Sequence, residues 1–436
     1  MTSHHPSEPS RLDPSRRDFI KTTAAVTAGM SVAGAAPRAS ARAPGKNERI
    51  GVGFIGVGSR GAGHMREVKA VRERYGIPTE IVAVCDVYRP RLDEAVRVHN
   101  TPKAYMDYRE LLDDPNVDVV AIASPDHHHG HHAIDAIKAG KDVYCEKPVT
   151  HWRQFELTRR LADTVAQSDR VFQLGTQGMC DSVWRQMKKL VQGGLIGQPL
   201  YGEAGFFRVG DWGERGMPVL DPNARPGRDL DWDQFLGDAP KRDFTVDRFF
   251  RWRLFEDYAG GPATDLFPHC LTQVVDVLGV EFPDTVVGIG SIDRYEYELR
   301  EVPDTFNLLA HYPEQVTIAV LGSSGNDHQT TPPRGSGQRC PVIRGWDGTL
   351  TIEGDEIVFT PAGGSKKEPR RFPIEHGEDL ILYWKKLFDC VQSRDRETWS
   401  PMDLAFRTQT VLQMAMLASR AGKTARFDAE KRAIVI

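Results

Sequence analysis

The 436-residue chain has no Cys-x-x-Cys pair. Its six cysteines stand apart at positions 85, 145, 180, 270, 340 and 390, which leaves zinc-ribbon and thioredoxin-type chemistry without support. It also lacks a charge excess: 56 Lys and Arg face 60 Asp and Glu, a formal net charge of −4. No basic stripe is present to neutralise phosphates, so no nucleic-acid partner is expected. No stretch approaches the ~20 apolar residues of a spanning helix, so no membrane span is expected. No internal repeat is found. What is present is 40% hydrophobic residues, enough to bury a core in roughly two domains. The even cysteine count permits disulfides in an oxidising compartment. Cys85 and Cys145, however, end apolar strand-like runs and read as buried thiols.

The N-terminus stands apart from the rest. "SRRDFIK" (Ser15 to Lys21) places Arg16 and Arg17 before a short, mild apolar run, and "PRASARA" (Pro37 to Ala43) follows with small-residue cleavage patterns. This resembles a twin-arginine export signal. Residues 1–43 are therefore set aside as a signal peptide, with cleavage expected after Ala41 or Ala43. The twin-arginine machinery becomes an expected partner and the periplasm the expected location. That route carries proteins already folded, which agrees with reduced cysteines.

From 47 to 170 the chain alternates strands and helices. "RIGVGFIGVGSRGAGHMREVKAV" reads strand, glycine turn, helix; "EIVAVCDVY", "VDVVAIASP" and "DVYCEKP" read as further strands, with "RPRLDEAVRVH" and "GHHAIDAIKAG" as helices between them. That alternation predicts a doubly wound parallel sheet of the Rossmann type. From 171 to 436 the pattern changes to a C-terminal α+β domain. Successive strand-like runs such as "TFNLLAHY", "QVTIAVLG" and "GTLTIEG" predict a large, mostly antiparallel open sheet, one face of which is available to another subunit. A homo-oligomer, dimer or tetramer, is expected. "SSGNDHQTTPPRGSGQRCP" reads as a long polar loop.

Three motifs carry chemistry. Gly56-Val57-Gly58-Ser59-Arg60-Gly61 is G-x-G-x-x-G between a strand and a helix, the context that makes it a dinucleotide fingerprint. Its glycines allow the tight turn, the approach of the pyrophosphate and close helix–strand packing, with the phosphates on the helix N-terminus. Asp86 ends the second strand where a ribose-binding acid belongs; it favours NAD, while Arg89 and Arg91 keep NADP open. Glu146-Lys147-Pro148 ends another strand on the side where open parallel sheets bind ligands. "SPDHHHGHH" (Ser124 to His132) holds five of the chain's 14 histidines.

The order and spacing of these motifs resemble the glucose–fructose oxidoreductase/inositol dehydrogenase (Gfo/Idh/MocA) family. "YAGGPATDLFPHCLTQVVDVLG" (Tyr258 to Gly279) completes the likeness: Asp265 and His269 match the family's Asp and His four apart. On one helix they would share a face, and Asp265 would orient His269. Pro268 is tolerable in a first turn. The resemblance covers essentially all of residues 47–421. It departs at Thr272, where many relatives carry an acid, and at Gly178 and Met179, where many have an arginine nearby. Sugar preference therefore does not carry over.

The resemblance also implies roles. His127 and His129 match the histidines of a Pro-Asp-His-aromatic-His turn, with His128 at the aromatic position. His129, with Ser124 and Pro125, would shape the cofactor pocket together with Gly56, Gly58, Ser59, Arg60, Gly61, Asp86, Glu146 and Lys147. His128 and His132 are spaced to bind a stray metal ion, but no native metal site is expected. Lys147, His269 and Asp265 would be catalytic, and Tyr258 would join them in touching substrate. The implied activity moves a hydride between a sugar, polyol or glycoside and a nicotinamide cofactor. His269 would take the proton and Lys147 would bond the reacting oxygen. Free NAD is scarce outside the cytoplasm, so a tightly held cofactor is expected. An NAD-dependent glycosidase using transient sugar oxidation is an alternative, as is a non-catalytic sugar or NAD sensor.

Overall fold

The computed structural model describes residues 49–210, 217–296, 299–335 and 338–436. The signal peptide expected over 1–43 lies outside them. Apolar, β-branched runs set the first sheet: β1 (Ile50–Ile55), β2 (Thr79–Cys85), β3 (Ala104–Tyr105), β4 (Val119–Ile122), β5 (Asp142–Glu146) and β6 (Phe172–Gly175). They lie in the order β3-β2-β1-β4-β5-β6, all parallel. β1, β4 and β5 are buried along their whole length, as strands covered on both faces must be. The helices are α1 (Ser59–Tyr75), α2 (Arg89–His99), α3 (Tyr108–Asp113), α4 (His129–Lys138) and α5 (Phe155–Ala166). The strand order reverses between β1 and β4. Ligands of such sheets bind in the crevice outside the carboxyl ends there.

After α6 (Ser182–Gln192) and β7 (Pro199–Val209) the chain makes a long excursion before its second sheet continues. That sheet has twelve strands among the described residues. It is antiparallel except where β7 pairs in parallel with Thr317–Ser323. The excursion is the crossover a parallel pair requires. The polar loop expected at 323–341 is shorter than its sequence suggests, because Gln338–Gly345 already pairs with β7.

The excursion forms α7 (Trp232–Leu236), α8 (Val246–Phe250), α9 (Pro262–Asp265) and α10 (Phe267–Leu278). Tyr88, Leu230, Phe235, Phe249, Phe250 and Tyr258 make a third core there, against the loop after β2. α10, almost wholly buried, lies on β7. Helices Leu380–Ser393 (α11) and Met402–Ala421 (α12) return to the first sheet's side. α11 lies against α1, and Met402, Ala405 and Phe406 join that sheet's core. The opposite face of the large sheet exposes Val287, Ile289 and Leu309, with Val287 and Leu309 cross-strand partners. All six cysteines are free and buried. Among the described residues, no helix is long and apolar enough to cross a membrane.

Candidate active site

The glycine turn comes first. Gly56 has φ +85°, and a Cβ there would meet the backbone of Ala123 and Ser124 at 2.6–2.7 Å. A Cβ on Gly61 would lie 2.0 Å from the Gly56 carbonyl oxygen, so packing alone fixes glycine at both positions. Gly58 differs: nothing but Arg91 comes within 4 Å of its Cβ position, at 3.9 Å. The protein leaves a cradle there. Gly58 also caps α1 with no side-chain bond, and no acid lies in the first turn. Unsatisfied N–H groups and the helix dipole thus face an open space that suits a pyrophosphate.

Asp86 is buried at the end of β2. Its carboxylate accepts from the Val57 and Tyr88 N–H groups, both at 3.0 Å, which ties the glycine turn to the ribose side of the crevice. Arg91 lies over the rings of Tyr88, Phe249 and Phe250 at 5.2–5.6 Å.

Glu146 lies beneath the turn. Its Oε1 accepts from Arg60 Nε at 3.0 Å, His64 Nε2 at 2.8 Å and Gln177 Nε2 at 2.6 Å. Burial opposes its charge, but Arg60 and His64 hold the carboxyl well below the usual carboxylate range. Glu146 and Arg60, expected to touch the cofactor, spend these groups on each other. His64 is fixed in turn by Glu67, which also accepts from Trp384 of α11.

Lys147 projects from the end of β5. Its Nζ donates to the Asp265 backbone oxygen at 2.6 Å and to the Asp265 carboxylate at 2.8 Å. The expectation that Asp265 shares a helix face with His269 and orients it is corrected here. Pro268 has no N–H for the carbonyl four residues back, and its ring crowds that carbonyl. The helix accordingly breaks at Leu266 (φ −107°, ψ −44°) between α9 and α10. His269 N–H bonds Leu266 O instead, which leaves the Asp265 carbonyl to Lys147. Burial opposes ionisation of Asp265, yet Lys147, Arg253 and Arg208 hold its carboxyl far below the usual range. His269 sits beside them. Burial and then the Lys147 charge push its pKa down to about 3, so its ring is neutral at ordinary pH.

Protein carbonyls occupy the histidine cluster. His127 and His128 both donate from Nε2 to the Phe235 carbonyl of α7, at 2.8 and 2.6 Å. His129 places Nδ1 2.6 Å from Pro148 O and Nε2 2.6 Å from Ser124 O, and so joins the loop after β4 to the Lys147–Pro148 strand end. His132 stacks on His128 at 5.1 Å and meets Ser124 Oγ. His131 pairs with Asp238. Among the described residues, no group of three or more His, Cys, Asp or Glu is placed to hold a metal ion.

Tyr258, expected at the substrate, is instead fully buried in the third core, its ring 5.0 Å from His127 and 5.3 Å from Phe235. Thr272 turns inward and donates to Pro268 O. Sequence reasoning missed two arginines beside Asp265, Arg208 and Arg253, and Asp126 beside Arg253. Asp126 lay inside the quoted Pro-Asp-His turn. The two arginines carry no local signal, since only tertiary folding brings them there.

Comparison with known proteins places this geometry. Residues 50–176 match the Gfo/Idh/MocA model described as an oxidoreductase family with an NAD-binding Rossmann fold, and residues 180–321 match that family's C-terminal alpha/beta domain.

The chain belongs to this oxidoreductase family.

Residues 13–33 match the signal sequence of the twin-arginine translocation pathway, which indicates export by that route. Among curated relatives of this family member, an alpha-N-acetylgalactosaminidase of Shewanella oneidensis is 30% identical over 222 residues, 45% of this chain and 47% of that protein. An inositol 2-dehydrogenase of Salmonella typhimurium is 32% identical over 149 residues, 34% and 43%. The matches thus span less than half the length of either relative. A levoglucosan dehydrogenase solved with NADH and levoglucosan aligns with a TM-score of 0.66 at 19% identity, over 87% of this chain and 99% of that one. That likeness is one of fold.

Proposed function

We propose that the protein is an exported NAD-dependent dehydrogenase of a sugar or polyol hydroxyl, at work in the periplasm. The observation that carries this reading is the position of Lys147. An ammonium has three N–H donors, and Asp265 takes two of them. The third is available to a substrate oxygen at the carboxyl edge of the sheet. A bound NAD supplies the hydride acceptor.

The chain's own groups handle the rest. Lys147 stabilises negative charge as it develops on the substrate oxygen. His269, held neutral, accepts the hydroxyl proton, and Asp265 positions Lys147 rather than His269. Asp86, its carboxylate next to the glycine turn, is the acceptor for a ribose 2′-hydroxyl and repels a 2′-phosphate. The apolar outer face of the large sheet supports pairing with a second copy.

A second reading has its own support. The similarity to a protein named alpha-N-acetylgalactosaminidase favours a glycosidase that oxidises its sugar only transiently. One experiment separates the two. Mature protein is given NAD with sugars, polyols and aryl glycosides, and both reduced nicotinamide and released phenol are followed. Net reduction that falls on the order of 10²-fold in Lys147→Met supports the dehydrogenase. Phenol release without net reduction selects the glycosidase. Normal turnover of the true substrate by Lys147→Met would show that this strand end is structural.

A further inference from the structure

Asp126 is a buried acid with no donor to satisfy it. It opens the short turn after β4, at the carboxyl edge of the first sheet. It is 1% exposed, and neither of its carboxyl oxygens has a hydrogen-bond partner among the described residues. A carboxylate in that state has lost water and gained nothing in return, which favours the protonated form. Burial pushes its carboxyl up to about 7, against the pull of Arg253 and Lys147 and with the push of Asp265.

The titratable groups that face it come from four elements. Arg253 lies in the Trp252–Leu254 turn, Asp265 in α9, Cys145 in β5 with Lys147 just beyond it, and His127 next to Asp126 in its own turn. Two of these carry no charge at neutral pH. Burial pushes the Cys145 thiol far up and the His127 imidazolium far down. The charges that answer Asp126 are therefore Arg253, Lys147 and Asp265.

Arg253 stands between two acids. Its Nη1 lies 3.8 Å from Asp126 Oδ1 and 3.5 Å from Asp265 Oδ1. Both distances exceed the ~2.9 Å of a direct N–H···O bond, so neither contact is closed. Asp265 Oδ1 is also the oxygen that accepts from Lys147 Nζ at 2.8 Å. Arg253 and Lys147 thus share one acceptor, while the unsatisfied Asp126 oxygen offers Arg253 another. Asp265 stays ionised beside its cations, and Asp126 does not. Neighbouring carboxyls whose surroundings part their proton affinities in this way mark proton-handling sites.

We propose that Asp126 is a positioning residue whose proton decides which acid Arg253 leans on. With the proton on, Arg253 stays with Asp265 and competes with Lys147 for Oδ1. With the proton released to solvent, Arg253 turns to Asp126 and leaves that oxygen to Lys147. The tether that presents the third Lys147 donor is then tighter. Only the effect on turnover rests on the dehydrogenase reading; the movement of Arg253 does not.

The two are measured separately. Infrared difference spectra of the mature protein, recorded as pH is raised, follow the carbonyl stretch of a buried protonated carboxyl. One such band should vanish near neutral pH, be missing in Asp126→Asn, and vanish at a higher pH in Arg253→Gln, which has lost a cation that favours ionisation. Crystals at about pH 5.5 and about pH 8.5, on either side of that transition, should place Nη1 nearer Asp265 in the first and nearer Asp126 in the second. In Asp126→Asn it should keep the low-pH position in both. Turnover of the true substrate, as kcat/KM, should rise on the order of 10-fold through the transition in the unmodified protein and stay level in Asp126→Asn, with NADH affinity alike in the two. The proposal is overturned if the band is absent or survives in Asp126→Asn, or if Arg253 keeps one position at both pH values, even when sugars are oxidised and the dehydrogenase reading stands. Turnover that rises equally in both proteins overturns the positioning role. A titrating band and a moving Arg253, with no reduction of NAD by any substrate, remove the dehydrogenase reading and leave the Asp126–Arg253 pair.

Discussion

His128→Phe should destabilise the protein at neutral pH and stabilise it in mild acid. His128 is 9% exposed, and burial lowers its pKa from 6.5 to about 4. Below pH 6.5 the unfolded chain binds a proton there that the folded chain refuses. Stability therefore falls as pH falls through the unfolded value, and this site's contribution to the loss ends only near pH 4. Between about pH 7.5 and about pH 5 the linkage integrates to about 2 kcal/mol for this one group.

The substitution removes that proton from the balance. It also removes one hydrogen bond, worth about 1 kcal/mol. The Phe235 carbonyl keeps His127 as a donor, so no buried acceptor is orphaned. The two contributions cancel near about pH 6. Urea unfolding of the mature protein and the variant, followed by circular dichroism at both ends of this range, checks the crossing. Packing costs of the new ring are the same at each pH and drop out of the difference. A stability gap between the two proteins that does not move with pH would refute the argument.

Other expectations follow from separate features. Asp86→Ser should narrow a preference for NAD over NADP, read from nucleotide titrations; equal or tighter NADP binding by the unmodified protein would defeat the ribose assignment. Replacement of Arg16 and Arg17 by lysine should leave precursor in the cytoplasm, as cell fractionation would reveal, and undiminished exported protein would contradict the signal. Ile289 is 72% exposed on the apolar sheet face, so Ile289→Glu should shift the mass measured by light scattering toward the monomer. An unchanged mass would place any subunit contact elsewhere.

Local pattern carried much of this. The glycine turn, Asp86 and Lys147 are legible because each depends on its own strand end and the few residues beside it. The parallel sheet is legible because its strands are apolar throughout. The second sheet's antiparallel character showed in its successive strands, but its one parallel pair did not, since the excursion that forms the crossover has little periodicity. Asp265 and His269 stand out only through the family resemblance, and the structure breaks the helix that was expected to join them. Four residues apart implies one face only if the helix is continuous, and Pro268 signals that it is not. Arg208 and Arg253 were invisible because what matters is their distance to Asp265. That distance is set by tertiary packing, across 57 residues of chain for Arg208 and 12 for Arg253.

The break before α10 has one more consequence. Proline is the poorest helix former, about 3 kcal/mol worse than alanine in a helix interior, so scoring by propensity alone would mark residue 268 for improvement. A smoother helix would return the Asp265 carbonyl to its own backbone and take from Lys147 one of its two tethers. The Lys147 ammonium is tethered with the help of a residue that never touches it, through the break that sends the His269 N–H to Leu266 O and leaves the Asp265 carbonyl open. Stabilising this stretch and preserving its chemistry are opposed aims, and a thermostabilised variant selected on melting temperature alone would drift away from activity at this position first.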